Sequence, residues 1–201
     1  IKVFQEKNPA DLPWKEHDID VVIESTGFFV HYDKAKWHLD AGAKKVVISA
    51  PAKGEPVEGI KSATVIMGVN NSELGTCQIS SNGSCTTNAG SPVVSILKET
   101  VGIEKALLNT THGYTSTQSI VDGPVRGSDY RKGRAAAQNI IPTSTGAAIA
   151  VTKAMPDLAG KFDGIACRVP VVSGSIADVT FVSSRDTSVE EINQILRDAA
   201  K

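Results

Sequence analysis

The chain has 201 residues, 41% of them hydrophobic, which is enough for one large domain or two small ones with a true core. Its 21 basic and 22 acidic residues leave a net charge of −1, so charge gives no drive towards nucleic acid or an anionic membrane. No apolar run reaches the length of a membrane span, and the three scattered cysteines (Cys77, Cys85, Cys167) suit neither a disulfide framework nor paired metal ligands. The chain therefore reads as cytoplasmic.

In chain order, short β-branched runs alternate with helical patterns and punctuating glycines, the signature of an α/β protein. Residues 19–24 and 44–49 are the clearest strands, and their continuous apolar character predicts parallel strands covered on both faces. Between them Ala35, His38, Leu39 and Gly42 recur at helical spacing, completing one βαβ unit. Residues 64–69 supply another strand and residues 76–80 a shorter one.

Next comes Ser80-Ser81-Asn82-Gly83-Ser84-Cys85-Thr86-Thr87-Asn88, which sets a cysteine among small hydroxyl and amide residues at a strand-to-helix junction. Helix N-termini favour anions and thiolates, so Cys85 suits nucleophilic attack on a carbonyl as well as it suits an inert polar turn. By propensity alone, Ser91 as N-cap and Pro92 at the first helical position would start the helix later. The strand-like run at 106–109 leads into Thr110-Thr111-His112-Gly113-Tyr114-Thr115-Ser116-Thr117-Gln118. A helix followed by a return strand brings the end of that strand back beside the helix start, where His112 could serve Cys85 as base.

Residues 114–137 are rich in glycine, charge and hydroxyls and predict a long irregular loop, a length that is usually functional. Strands are expected around 162–170 and 174–183, the first carrying Arg168 among apolar neighbours, where a buried guanidinium calls for an anion. The last helix is opened by Thr187 or Ser188, with Ser188 and Glu191 as a capping box and Val189, Ile192, Leu196 and Ala199 on its buried face.

The Cys85 and His112 segments are joined in the same order by Val121-Asp122-Gly123-Pro124, Gln138-Asn139-Ile140-Ile141-Pro142, Ser144-Thr145-Gly146-Ala147-Ala148 and Arg168-Val169-Pro170. Together they resemble the phosphorylating glyceraldehyde-3-phosphate dehydrogenase family nearly end to end. The resemblance implies an α/β fold: the later part of a Rossmann-type NAD-binding domain over 1–84, then most of an α+β catalytic domain with a mixed or antiparallel sheet over 85–201. The Gly-x-Gly-x-x-Gly unit and the closing segment of the family have no counterpart here, so the chain reads as an interior piece of roughly two-thirds of the family's length.

The resemblance also assigns roles. Cys85 is the nucleophile that forms a hemithioacetal and then a thioester, and His112 is its ion-pair partner and acid–base catalyst. Thr115, Thr117 and Arg168 hold the substrate phosphate, while Ser84, Thr86, Thr145 and Gly146 hold the attacking inorganic phosphate. Arg131 is a further phosphate candidate; Arg126 and Arg134 stay open beside it, because the stretch 125–130 is one residue longer than usual. Ser25, Thr26, Gly27, Phe28 and Ser49 border the nicotinamide half of the cofactor cleft, and Gly123-Pro124 resembles the NAD-using branch, with NADP left open. The helix is expected to start at Cys85 and tolerate Pro92; Ala89 replaces a second cysteine, and Gly83 the usual alanine. The implied reaction converts D-glyceraldehyde 3-phosphate and inorganic phosphate to 1,3-bisphosphoglycerate in a homotetramer, with no nucleic-acid or membrane partner. The rival readings are an erythrose-4-phosphate dehydrogenase and a truncated interaction module without catalysis.

Overall fold

Valine and isoleucine gather the early strands into a parallel sheet. The computed structural model describes residues 1–125 and 127–201, and the chain divides into two units, Ile1–Asn88 and Ala89–Lys201. Arg126, one of the loop arginines left open above, lies outside the described residues.

In the first unit, β1 (Val21–Glu24), β2 (Lys45–Ile48), β3 (Ser62–Thr64) and β4 (Ile79–Ser81) form one sheet in the order β1-β2-β4-β3, every pair parallel. Helix α1 (Tyr32–Asp40) connects β1 to β2 and buries Tyr32 and Ala35 against Val46, Ile48 and Ile79. Coverage of both faces, expected from the apolar runs, fails for β1. Val22 and Glu24 are buried, but Val21 and Ile23 are exposed, because no described element packs on that side of the strand. The strand expected at 64–69 is also corrected: β3 ends at Thr64. The Asn70 side chain stops it, accepting from Ile66 N at 2.8 Å and donating to Thr64 O at 2.9 Å, so that Val65 N still reaches Ser81 O but residues 66–69 turn away. Helix α1 ends at Asp40, which leaves Gly42 beyond it.

Helix α2 (Cys85–Thr100) begins at Cys85, and a local box explains why. Ser84 Oγ accepts from Thr87 N at 3.1 Å, while Thr87 Oγ1 accepts from Ser84 N at 3.2 Å, so two N-terminal amides are satisfied reciprocally. Threonine does here what glutamate or glutamine does in the usual box. Ser91 is consequently interior rather than an N-cap, and Pro92 sits inside the helix.

In the second unit, β5 (Lys105–Gly113), β6 (Ile141–Ser144), β7 (Phe162–Val169) and β8 (Ser175–Val182) form a mixed sheet in the order β6-β7-β5-β8. β5 and β7 are parallel, and the outer strands run antiparallel to them. One sheet face buries Ala106, Leu108, Thr110, Phe162 and Ala166, and helix α3 (Ala147–Ala154) lays Ala148 against Gly164 of β7. The other face leaves Leu107, Ile165 and Ile176 exposed. Helix α4 (Val189–Ala199) is capped by Ser188, whose Oγ accepts from Glu191 N at 3.2 Å. Only half of the expected capping box forms, because the Glu191 carboxylate takes Arg185 and Thr187 instead. Its expected buried face is not buried either: Val189 is 71% exposed, Ala199 is exposed, and Ile192 and Leu196 are half-buried, for want of a described element over them.

Candidate active site

Parallel pairing delivers three loops to one edge of the first sheet. Glu24 and Ile48 are in register at the carboxyl ends of β1 and β2, and Ile48 pairs in turn with Ser81 at the end of β4. Ser49 N donates to Glu24 O at 3.0 Å and Asn82 N to Ile48 O at 2.9 Å, so the chains leave the sheet side by side. Ser25, Thr26, Gly27, Phe28, Ser49, Ser84, Cys85 and Thr86 therefore share this edge, where ligands of open α/β sheets bind.

Within that edge the support is dense. Ser81, fully buried, donates to Ala50 O at 2.7 Å and accepts from Ala52 N and Gly83 N, tying the loop after β2 to the turn before Cys85. Gly83 has φ of +66°, and a Cβ there would lie 3.1 Å from Thr87 Cγ2, so an alanine would strain the turn that carries the cysteine. The Asn88 amide donates to Asn82 O and Ser84 O. Cys85 is exposed as the first residue of α2, whereas Cys77 is buried, and burial pushes the Cys77 thiol above its ordinary value.

The loop after β1 is anchored by a buried carboxylate. Glu24 Oε1 accepts from Thr26 N at 2.8 Å and from Thr26 Oγ1, and Thr26 Oγ1 accepts from Phe28 N at 3.1 Å. Burial acts to raise the Glu24 carboxyl, but the hydrogen bonds from Thr26 and His38 outweigh it and hold the group below the ordinary carboxylate value. Phe28 beyond it is 78% exposed and offers an apolar ring at the edge.

The second unit assembles another part. His112 and Arg168 are cross-strand neighbours on β5 and β7, and Arg168 Nη1 lies 2.8 Å from His112 Nδ1 and 3.1 Å from Gly113 O. The same Nδ1 lies 2.6 Å from Gly113 O, a contact that needs a proton on Nδ1, whereas the contact with Arg168 needs a lone pair there. Arginine decides, because a guanidinium only donates: in this geometry Nδ1 accepts and the ring proton sits on Nε2. Arg168 Nε is buried with no hydrogen-bond partner among the described residues, which leaves the guanidinium a donor to offer an anion. Just beyond β5, the buried Gln118 side chain receives Thr115 N and Thr115 Oγ1 and donates to Thr117 Oγ1, so one amide aligns both threonines.

Three other residues from the sequence stand apart from that cluster. Thr145 and Gly146 open α3 after β6, and because β6 is antiparallel they leave the sheet beside Ile165 rather than beside Arg168. Arg131 is held by Asp129 at 2.7 and 3.1 Å and lines a concavity on the solvent face with Leu107, Ile165 and Asp178, not the face shared by His112 and Arg168. The loop around it is tied back on itself: Gly123 N donates to Gly133 O, and a Cβ on Gly133 would come within 2.1 Å of Gly123 O. Glu24, Ser81, Thr87 and Gln118 were missed as site residues. A Ser-x-x-Thr box was legible in principle; the others depend on contacts made by the fold.

Comparison with known proteins gives these residues a family. Residues 84–201 match the model of the glyceraldehyde 3-phosphate dehydrogenase C-terminal domain, and residues 1–32 match that of the NAD binding domain of the same enzyme. Glyceraldehyde-3-phosphate dehydrogenases of Clostridium pasteurianum and Eremothecium gossypii are 49% and 47% identical over 201 residues, the whole of this chain and 58% of each relative. That of Mycolicibacterium smegmatis is 48% identical over 203 aligned residues, covering 57% of its length. The chain thus spans somewhat more than half the length of these curated relatives. With the C-terminal domain model matching well over half of it, the chain belongs to the glyceraldehyde 3-phosphate dehydrogenase family.

Proposed function

We propose that the whole protein oxidises D-glyceraldehyde 3-phosphate and phosphorylates the product to 1,3-bisphosphoglycerate, with Cys85 as nucleophile, His112 as acid–base partner and NAD as cosubstrate. The observation that carries this reading is the placement of Cys85: exposed, first in α2, and fixed by the Ser84–Thr87 box at the carboxyl edge of a parallel sheet. Backbone amides of a helix start are suited to an oxyanion or phosphate, and a thiolate gains from the same dipole.

The Cys85 thiolate adds to the aldehyde carbon, and the new oxyanion collects a proton to give a hemithioacetal. His112 takes the hydroxyl proton as hydride leaves carbon, and the product is a thioester on Cys85. NAD, when bound, supplies the hydride acceptor. The residues present fit its nicotinamide end, since Ser25 to Phe28 and Ser49 lie on adjacent strand ends with the Phe28 ring exposed. A phosphate oxygen then attacks the thioester carbonyl, releasing acyl phosphate and restoring the thiolate. Thr115, Thr117 and Arg168 receive the substrate phosphate; Ser84, Thr86, Thr145 and Gly146 receive the inorganic one. Once a phosphate engages Arg168, the ring proton of neutral His112 can sit on Nδ1 and be donated to Gly113 O, which leaves Nε2 as the acceptor that takes the hydroxyl proton.

The domain boundary at 84/85, NAD rather than NADP, a homotetramer and a cytoplasmic location belong to the same proposal. The test is steady-state oxidation of glyceraldehyde 3-phosphate by the full-length protein with and without inorganic phosphate. Phosphate-dependent NAD reduction that disappears in Cys85→Ser is expected. Turnover that ignores phosphate would move the assignment to a water-deacylating enzyme, and unchanged turnover in Cys85→Ser would remove the mechanism.

A further inference from the structure

Beneath the cofactor-side loop lies a buried chain of polar groups that the proposed chemistry does not use. Glu24 is 3% exposed and His38 of α1 is 4% exposed, and His38 Nε2 lies 2.9 Å from Glu24 Oε2. On its other side Trp14 Nε1 lies 3.1 Å from His38 Nδ1. An indole nitrogen only donates, so Nδ1 must accept and Nε2 must carry the ring proton, which it donates to Glu24. The direction of every link is then fixed: Trp14 to His38, His38 to Glu24 Oε2, and Thr26 N and Oγ1 to Glu24 Oε1. Thr26 Oγ1, having spent its proton on Glu24, is an acceptor for Phe28 N at 3.1 Å. The relay thus starts at a half-buried indole and ends in the exposed loop that turns through Gly27 to Phe28.

We propose that Trp14, His38 and Glu24 form a one-way relay that positions Thr26 and Phe28 for the nicotinamide end of the dinucleotide, with His38 acting as a positioning residue in its neutral Nε2–H form. The proposal rests on the dehydrogenase reading above. A buried carboxylate that lost His38 would keep one oxygen on Thr26 and leave the other without a partner, and the loop would lose its fixed register. Among the described residues the relay's own hydrogen bonds run only between Trp14, His38, Glu24, Thr26 and Phe28, so its effect is expected on the dinucleotide.

The test compares His38→Leu, which fills the space but breaks both links, with His38→Gln, whose amide can accept from Trp14 and donate to Glu24. In full-length protein, His38→Leu is expected to raise KM for NAD about tenfold, with KM for inorganic phosphate and iodoacetate labelling of Cys85 unchanged, and His38→Gln to restore KM to within about threefold. The imidazole 15N shifts of wild-type His38 should show Nδ1 unprotonated and Nε2 protonated. Equal KM values in wild type and His38→Leu, equal losses in both variants, or a protonated Nδ1 would overturn the relay. Should His38→Leu fail to fold, Thr26→Val at the exposed end must give the same NAD-selective loss, and its absence overturns the relay as well. Wild-type protein with no aldehyde oxidation at all would instead indict the dehydrogenase reading, while the tautomer would still decide the relay.

Discussion

Arg168 is held against His112 rather than against a carboxylate, and that choice of partner has consequences for substrate recognition. Its Nη1 donors are spent on His112 and Gly113, while Nε is buried and has no partner among the described residues, a costly state that a phosphate oxygen would relieve. Arg168→Ala is therefore expected to raise KM for glyceraldehyde 3-phosphate about 10- to 100-fold and to affect unphosphorylated glyceraldehyde much less. Equal losses on the two substrates would remove the phosphate role. Cys85, His112 and Arg168 stand out in the sequence as candidates because their chemistry is unusual for their surroundings. Gln118 does not, since an amide beside two threonines in a loop has no pattern of its own; only the fold shows it buried, accepting from Thr115 and donating to Thr117.

At the scale of elements, helix starts decide where the chemistry stands. Propensity placed a cap at Ser91 because Pro92 follows it, yet the Ser84–Thr87 box starts α2 at Cys85 and carries Ser91 and Pro92 into the interior. The two serines should then respond oppositely to alanine. Ser84→Ala removes a cap and is expected to cost about 1 kcal/mol in denaturant unfolding. Ser91→Ala deletes a fully buried hydroxyl without a partner among the described residues, and should be neutral or stabilising by up to about 1 kcal/mol. A loss of that size at Ser91 would restore the later helix start. Ser188 provides a control at α4, where the cap was read correctly from sequence and alanine should again cost about 1 kcal/mol. The apolar stripe of α4 was equally plain, but periodicity specifies a face and not what covers it, and Val189 remains exposed.

For the whole molecule, alternating strands and helices made the α/β class legible, and the continuous apolar runs pointed to the parallel pairing of β1 and β2, whereas the order β1-β2-β4-β3 comes from the fold alone. The polar interior was not legible, because Glu24 at the end of an apolar strand gives no sign of being buried. Its folded-state pKa lies below the unfolded value, so its contribution to stability is present above about pH 4.3 and is lost as pH falls through the lower folded value. Glu24→Gln should destabilise the protein by roughly 1–3 kcal/mol at pH 7, with the gap to wild type closing below about pH 4 in urea titrations. A gap independent of pH would mean that the carboxylate is not held as described.

The central claim is that Cys85 carries the acyl group. Full-length protein incubated with glyceraldehyde 3-phosphate and NAD in the absence of phosphate, quenched in acid and digested, should show a phosphoglyceryl thioester on the peptide containing Cys85, discharged by added inorganic phosphate. An adduct on Cys77 or Cys167, or NAD reduction with no adduct on any cysteine, would contradict the account.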